Sequence, residues 1–372
     1  MIARSQGDER GVALVLVLFV LTVVAGLAGA AFLIALSQER VGRSFLDHLH
    51  AFAAAESGVF QPVWNWDPTA YNTMPVDGVT PIEGRLADGT GSYRGSLRRL
   101  SRQLFVVTAE GSDAGSQARS RLGLLLRLEP LPIDPAAALT VRGAVAVEAA
   151  SHVSGHDRPP PGWDCPPPDP DVPGLRIHPR DSAAVFDTCL TPQCLIGNPP
   201  ILIDSSVTLS NLTTFAGMEF AALQQLASQV VSGVVHPLPR SRGATCVTAV
   251  ADNWGDPYGI EGACDDYMPL IYATGDLEVT GGRGQGTLVV AGDLTIGGGF
   301  VFSGLVLVQG AFVSSGSGNR LVGAVVVANA DLGLNSIAGV TTIKYSSCAV
   351  RRAQIGAGTV SVIRHNGWFQ AY

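Results

Sequence analysis

The feature that most constrains this chain is an uninterrupted apolar segment near its amino terminus. From Gly11 to Gln38 no residue is charged, and the run "GVALVLVLFVLTVVAG" opens the segment. As an α-helix these positions span about 42 Å, which is enough to cross a bilayer. The apolar core of a cleaved export signal is shorter, at roughly 7–15 residues. The small residues Ala28, Gly29 and Ala30 nevertheless offer a cleavage pattern, so a processed, exported chain stays open as an alternative.

The residues that follow this segment predict that the helix continues as an amphipathic one. In "QERVGRSFLDHLHAFAAAESGVF" apolar side chains recur at helical spacing, at Val41, Phe45, Leu49, Phe52, Ala53, Val59 and Phe60. Gly58 and Pro62 are the expected terminators. The sequence therefore predicts one spine helix over residues 12–60, about 75 Å long, whose apolar stripe lies on a sheet.

These residues resemble the amino-terminal region of PilX-type minor pilins of bacterial type IV pili, and that of the tip pseudopilins of type II secretion. The resemblance rests on the leader "MIARSQGDERG", on the apolar helix and on the later patterns "ER", "AF" and "AAESG". It implies that a prepilin peptidase removes residues 1–11 by cutting between Gly11 and Val12, and that Val12 is then methylated. It also implies an assembly helix, whose marked residues are Leu16, Glu39, Arg40, Phe45, Phe52 and Glu56.

One position departs from this resemblance. Major pilins carry a glutamate at the fifth mature position, which pairs with the amino terminus of a neighbouring subunit, and here that position is Leu16. The tip pseudopilins also lack this glutamate. Without the carboxylate, a subunit cannot neutralise a preceding subunit's amine inside the membrane, and it is poorly suited to repeat along a fibre. The departure therefore points to a tip position.

The charge and the cysteine content of the chain indicate in which cellular compartment it lies and which classes of partner it does not attract. The chain has 372 residues and a net charge of −7, which gives no general attraction to nucleic acid. Arg4 and Arg10 precede the apolar segment while Arg40 and Arg43 follow it, so positive charge does not orient the chain. The cysteines all lie beyond the segment and favour an oxidising compartment. We therefore expect a single-pass protein of the bacterial inner membrane with its carboxy-terminal domain in the periplasm, and at the cell surface when assembled.

The cysteines are expected to form disulfides rather than to bind a metal. Their number is even, and the sequence lacks the CxxC pairs that structural zinc sites commonly use. The local pairs Cys189–Cys194 and Cys246–Cys264 are the working assignment, although sequence alone leaves the connectivity open. The candidates are Cys165, Cys189, Cys194, Cys246, Cys264 and Cys348.

Beyond the spine, the residue patterns predict two further units and an α+β fold. Residues 61–92 have the composition of loops, and alternating apolar residues after them predict a small antiparallel, pilin-like sheet within residues 61–131. Residues 132–372 are expected to form a mostly parallel β-helix, or solenoid. A Pro/Cys-rich insertion at 156–200 and an amphipathic helix at 215–233 are expected to interrupt it.

The solenoid prediction rests on a repeat. The segments "YATGDLEV", "VVAGDLTI", "LVQGAFVS" and "VVANADLG" align at Gly275, Gly292, Gly310 and Asn329. Short Val/Leu strands separated by Gly or Asn corners at a period of about 18 residues are typical of a parallel β-helix. Glycine and asparagine tolerate the left-handed conformation expected at such corners. Residues 139–155 and 200–215 look like earlier coils.

The sequence shows no catalytic constellation. The motifs GxSxG and HExxH are missing, and the spacing of Asp252, Asp256, Asp265 and Asp266 selects no carboxylate pair for sugar cleavage. We therefore expect no enzyme activity, no cofactor and no metal.

The preferred prediction is a minor pilin or tip pseudopilin that takes part in assembly of a type IV pilus or a type II secretion pseudopilus. It would display the solenoid at the tip, with adhesion as one role. Its partners would be other minor and major pilins, the inner-membrane assembly platform, the prepilin peptidase and the membrane, and no nucleic acid. Two alternatives stay open: an exported, membrane-anchored β-helix protein that binds or cleaves polysaccharide, and a static membrane-anchored scaffold.

Overall fold

The protein comprises a long amino-terminal helix, an antiparallel sheet and a large parallel sheet wound into a solenoid. The predicted α+β fold with a β-helix is therefore confirmed. The computed structural model describes residues 10–148, 150–181, 183–185, 194–215, 218–259, 262–365 and 367–370. Residues 1–9 of the expected leader lie outside these ranges.

The first element is one continuous helix, α1 (Arg10–Trp64). It runs past Gly58 and Pro62, the two expected terminators, instead of ending near Phe60. Pro62 is tolerated because it lies close to the helix end, where few backbone hydrogen bonds remain to be lost. A short helix, α2 (Pro68–Tyr71), follows and is capped by the carboxylate of Asp67.

Four consecutive strands form the antiparallel sheet: β1 (Val79–Arg85), β2 (Gly91–Arg99), β3 (Leu104–Asp113) and β4 (Arg119–Glu129). Along β3 every second side chain is buried, as a half-buried strand requires. The loop prediction for residues 61–92 is wrong in part, because β1 lies within it. β1 is an edge strand that contains Pro81 and exposes most of its side chains, so its composition is that of a loop.

The last part of α1 lies directly on this sheet through small residues. Ala51, Ala54 and Ala55 are fully buried there. A Cβ atom at Gly111 of β3 would lie 2.2 Å from the carbonyl oxygen of Ala51 and 2.2 Å from the amide nitrogen of Ala55. The backbones of helix and strand are therefore in contact, which only the smallest residues allow.

In the described residues, the solenoid begins with short strands: β5 (Leu139–Val141), β6 (Val145–Val147), β7 (His152–Ser154), β8 (Leu175–Ile177), β9 (Ala183–Val185), β10 (Leu195–Ile196) and β11 (Ile201–Ile203). Parallel pairs join β5 to β8, β6 to β9, β7 to β10 and β8 to β11. The predicted insertion at 156–200 is therefore wrong in part, because β8, β9 and β10 belong to coils. Of the coil expected at 200–215, only β11 joins the solenoid.

A crossing segment then leads to the opposite end of the solenoid. It contains α3 (Leu209–Thr213), β12 (Thr214–Phe215), β13 (Met218–Glu219), a 3₁₀-helix (Phe220–Leu226), β14 (Gln229–Val235), β15 (Ser241–Arg242) and β16 (Thr245–Cys246). The helix predicted at 215–233 is wrong. Only one tight helical piece forms, which buries Phe220 and Leu223, and the β-branched run "QVVSGVV" forms a strand instead.

The repeat region forms the second stack of coils. Its strands are β17 (Leu270–Val279), β18 (Arg283–Val290), β19 (Leu294–Ile296), β20 (Val301–Val308), β21 (Phe312–Ser314), β22 (Ser317–Val327), β23 (Asn335–Ile337) and β24 (Val340–Tyr345). β14 pairs with β17, and the later strands stack in parallel on it in chain order.

Gly292, Gly310 and Asn329 lie at corners between strands, whereas Gly275 lies within β17, and the need for glycine has a different reason than expected. Asn329 has the predicted left-handed conformation, with φ of 45°. Gly292 and Gly310 do not. A Cβ atom at Gly292 would lie 2.3 Å from a carboxylate oxygen of Asp276, and one at Gly310 would lie 2.2 Å from a carboxylate oxygen of Asp293. These two positions need glycine because the preceding coil approaches closely, not because of backbone strain.

A second column of glycines lies within the long strands. Gly286, Gly304 and Gly323 are directly paired in the register of β18, β20 and β22, and their φ angles are 104°, 145° and 140°. A Cβ atom at Gly304 would lie 1.9 Å from the carbonyl oxygen of Gly286. Each coil therefore bends at a glycine that rests on the glycine of the coil before it.

The two stacks meet in the middle of the solenoid. β5 pairs with β22, β6 with β23 and β7 with β24. The coils of residues 139–203 thus continue from the last coil of the repeat region, although they precede that region in the sequence.

The chain finally returns to the antiparallel sheet. The helix α4 (Ser347–Gly356) packs against β18, β20 and β22, and β25 (Thr359–Val362) and β26 (Trp368–Gln370) both pair with β4. The predicted solenoid domain of residues 132–372 is therefore too long. The solenoid is inserted in the chain between β4 and β25, and two chain crossings attach it to the sheet.

Candidate assembly surface

The first part of α1 presents an apolar surface around its whole circumference. Its most apolar 18-residue window has a mean hydropathy of 2.7, and none of that window is buried. Leu14, Phe19, Leu27 and Leu33 are each exposed by 64–68%. An apolar surface of this extent requires lipid or other helices around it.

A second apolar stripe on α1 continues beyond this segment. Val41 and Phe45 are exposed by 67% and 63%, Leu49 by 45% and Phe52 by 37%. The expectation that this stripe lies on the sheet is wrong for these four residues, although Val59 at the end of the stripe is buried against the sheet, with Phe60 packed beside it. Gly111 and the alanines opposite it bring the helix too close to the strands for bulky side chains to fit between them. The helix therefore has a small-residue face for the sheet and a bulky apolar face that stays open.

The predicted processing residues lie at the start of α1. Gly11 and Val12 are in its first turn, and their side chains are outside the described part of the chain. Leu16 follows one turn later and is 60% exposed. At this point of the helix an apolar side chain therefore faces the surroundings.

The polar residues of the predicted assembly helix lie further along and do not form one cluster. Glu39 and Arg43 make an exposed ion pair one helical turn apart, with 3.0 Å between nitrogen and oxygen. Arg40 is exposed beside them, and Glu56 is exposed on the part of the helix that lies on the sheet. An exposed pair of this kind adds less than about 1 kcal/mol to stability, so these charges are available to a neighbouring helix.

A buried arginine that the sequence does not distinguish fixes the base of the sheet. Arg99 at the end of β2 is only 5% exposed. Burial lowers the pKa of its guanidinium to about 10, which still leaves it charged at neutral pH. It donates hydrogen bonds to the carbonyl oxygens of Asn72, Met74, Ser101 and Arg102. Nothing in the local run "LRRLSR" separates Arg99 from its exposed neighbour Arg98.

Asn72 joins the spine region to the solenoid. Its side-chain amide donates to the carbonyl oxygens of Gly356 at 3.0 Å and Gly358 at 2.8 Å, where α4 ends. Its oxygen accepts a hydrogen bond from the indole nitrogen of Trp66 at 2.8 Å. The sheet and the solenoid are therefore held together by buried polar contacts in addition to the two chain crossings.

Disulfides fasten two loops of the solenoid. Cys246 is joined to Cys264, the pair favoured from the sequence, and Cys165 is joined to Cys348 at the start of α4. Cys194 is also disulfide-bonded, whereas Cys189 lies outside the described residues. The long-range bridge ties the proline-rich segment to α4, a pairing that spacing along the sequence could not reveal.

The acidic residues considered for sugar cleavage serve as structural partners. Asp252 pairs with Arg240 at 2.9 Å, Asp256 with Arg283 at 3.2 Å, and Asp266 with Arg102 at 2.8 Å. The last of these links the solenoid to the antiparallel sheet. Asp265 accepts a hydrogen bond from the backbone amide of Asp266 at 2.8 Å. Among the described residues, no group of three or more His, Cys, Asp or Glu side chains could hold a metal ion.

Comparison with known proteins gives a distant likeness to a solved structure. No protein-family model and no curated protein matches the chain. Among solved structures, the chain is similar to the competence-associated pilin ComZ from Thermus thermophilus, with 12% sequence identity and a TM-score of 0.25. The likeness covers 87% of this chain and 98% of that one. At this TM-score it supports no conclusion about function.

Proposed function

We propose that the chain is a PilX-type minor pilin or tip pseudopilin with an assembly role and no enzyme activity. The observation that carries the proposal is the division of α1 into an exposed apolar part and a part seated on the antiparallel sheet. A cleaved export signal has no need of such a continuous, sheet-bound extension. A subunit that moves from a membrane into a helical bundle needs both the apolar part and the sheet-bound part in one continuous helix.

The tip position rests on Leu16. Its side chain is apolar and exposed where repeating subunits carry a carboxylate for a neighbour's amino terminus. The solenoid inserted between β4 and β25 agrees with this position, because a repeating fibre would have to accommodate such a large unit at every subunit. The proposed partners are other minor and major pilins, the assembly platform of the inner membrane and the prepilin peptidase. The solenoid then lies in the periplasm and later at the cell surface.

A labelled chain tests the tip assignment. We expect that an epitope inserted at the exposed turn of Gly243, where an added Cβ atom would meet nothing within 4 Å, marks only one end of sheared surface fibres. Electron microscopy with a gold-coupled antibody measures this. Label along the fibre length would contradict a tip role, and fibres without label from cells whose membranes retain the chain would contradict assembly altogether.

The matched variant for this experiment is Leu16→Glu. It restores the carboxylate that the resemblance assigns to repeating subunits, so label is expected to spread from the end into the fibre. If the variant stays at the end, the missing carboxylate does not determine the position.

A further inference from the structure

The face of the antiparallel sheet that points away from α1 carries a basic patch. Arg94 of β2 and Arg119 and Arg121 of β4 surround Glu110 of β3. The register places Arg94 opposite Glu110 across one strand pair and Arg121 opposite it across the next. The patch therefore belongs to the regular sheet and not to a loose loop.

Three guanidinium groups share this one carboxylate. A nitrogen of Arg121 lies 2.7 Å from one carboxylate oxygen, whereas nitrogens of Arg94 and Arg119 each lie 3.5 Å from the other. The hydrogen bond from Arg121, with the three positive charges, holds the pKa of Glu110 below its ordinary value. Glu110 is thus ionised at neutral pH, and the patch still has more positive than negative charge.

The arginines remain accessible. The side chains of Arg94 and Arg119 are 76% and 65% exposed, while that of Glu110 is only 19% exposed. Open grooves of about 200 Å³ and about 410 Å³ flank Glu110 on its two sides. Hydroxyl-bearing side chains of β2, β3 and the β3–β4 turn line them beside the arginines, namely Ser92, Thr108, Ser112 and Ser116.

In the assembly proposed above, this face would stay open. α1 covers the opposite face of the sheet, where the apolar cluster with Phe105, Leu122 and Leu124 lies. Spine helices that pack together through their exposed apolar stripes place the patch on the outside of the assembly.

We propose that the patch of Arg94, Arg119, Arg121 and Glu110 binds an acidic polysaccharide. The polymer's anionic groups would lie at the outward nitrogens of Arg94 and Arg119, and its hydroxyl groups would meet the serine and threonine side chains. Charge-assisted hydrogen bonds of this kind are the stronger polar contacts in proteins. The location of the patch outside the cell and its exposure in an assembly rest on the proposed function, whereas binding by the isolated chain does not.

The lining favours a glycan over a protein or nucleic acid. Protein interfaces usually have buried aromatic or aliphatic anchors at their centre, and these grooves are lined mostly by arginine, hydroxyl groups and backbone. The lining residue Tyr93 packs its ring beside Gly58 and Gly84, so it offers no stacking face to a base.

The test measures binding of sodium alginate, a polyuronate, to the detergent-solubilised full chain by calorimetry, with neutral dextran as the uncharged polymer. We expect alginate to bind, dextran not to bind, and the affinity to fall as salt is added. The double variant Arg94→Gln, Arg119→Gln is expected to bind alginate at least about tenfold more weakly, because two charge-assisted contacts are lost. Circular dichroism checks that the variant is folded.

The control is the double variant Arg242→Gln, Arg320→Gln, which removes the same charge from exposed positions on the solenoid. Its affinity is expected to stay within about twofold of the unmodified chain, since these two arginines lie outside the patch and salt screens distant exposed charges. An unchanged affinity in the Arg94, Arg119 variant overturns the proposal, as does the absence of alginate binding. Tighter binding of poly-glutamate or single-stranded DNA than of alginate overturns the assignment to a glycan. Because the test uses the isolated chain, its failure would leave the assembly proposal standing.

Discussion

Replacing Gly111 by alanine is expected to lower the free energy of unfolding by about 3 kcal/mol or more and to lift α1 from its sheet. The added Cβ would lie 2.2 Å from two backbone atoms of the helix, one in Ala51 and one in Ala55, so no side-chain movement can relieve it. Urea unfolding of the detergent-solubilised chain measures the loss. Hydrogen exchange of residues 51–59 reports the lifted helix directly.

The matched control for this variant is Gly42→Ala on the exposed part of α1, where a Cβ atom would meet nothing within 4 Å. It is expected to leave stability unchanged or to raise it by up to about 1 kcal/mol through helix propensity. If Gly111→Ala is no less stable to urea than this control, α1 does not rest on the sheet through backbone contact. The bulky apolar stripe could then no longer be identified as the exposed face of α1.

Replacing Gly304 by alanine is expected to cost roughly 2–5 kcal/mol, through steric overlap and through strain at a positive φ angle. The Cβ would lie 1.9 Å from the carbonyl oxygen of Gly286 in the preceding coil, and φ is 145°. The damage is expected to be largest in the solenoid, where coils 18 or 19 residues apart stack directly on each other. Thermal unfolding followed by circular dichroism measures the loss.

Gly275→Ala serves as the comparison for the solenoid variant. Gly275 lies in β17, no atom lies within 4 Å of its added Cβ, and its φ angle is not in the left-handed region. The expected change is within about 0.5 kcal/mol. A loss as large as that of Gly304→Ala would show that the glycine column has no special role.

Features with a local cause could be predicted from the sequence. The spine follows from an uncharged run longer than a bilayer is thick, and the solenoid follows from the spacing of Gly275, Gly292, Gly310 and Asn329. The same repeat region contains a second sequence signal, separate from the corner positions. A glycine precedes four residues, all apolar except Thr287, in "QGTLVV", "SGLVLV" and "VGAVVV", and these glycines form the strained column.

Features that depend on distant residues could not be predicted. The sheet-facing side of α1 is set by Gly111, more than fifty residues further along the chain than the alanines it contacts. The burial of Arg99 depends on carbonyl groups of the α2–β1 connection. The return of β25 and β26 to β4 crosses more than two hundred residues, so no pattern within either segment reveals it.

The predicted helix at 215–233 shows why periodicity can mislead. Apolar residues in "FAALQQLASQVVSG" fit a helical stripe, but the free edge of β17 offers backbone hydrogen bonds to "QVVSGVV". β-Branched residues lose less conformational freedom in a strand than in a helix, so the strand is favoured once that edge exists.

The most direct test of the central claim, a retained pilin-type spine, is the mass of the mature amino terminus in chain extracted from the source membrane. We predict that peptide mass spectrometry finds Val12 as the first residue, methylated on its amino group, with residues 1–11 removed. A first residue at Ala31, after cleavage at Ala30, would show an export signal, and an uncut Met1 would show a static anchor. Either result would contradict the assembly function proposed for this chain.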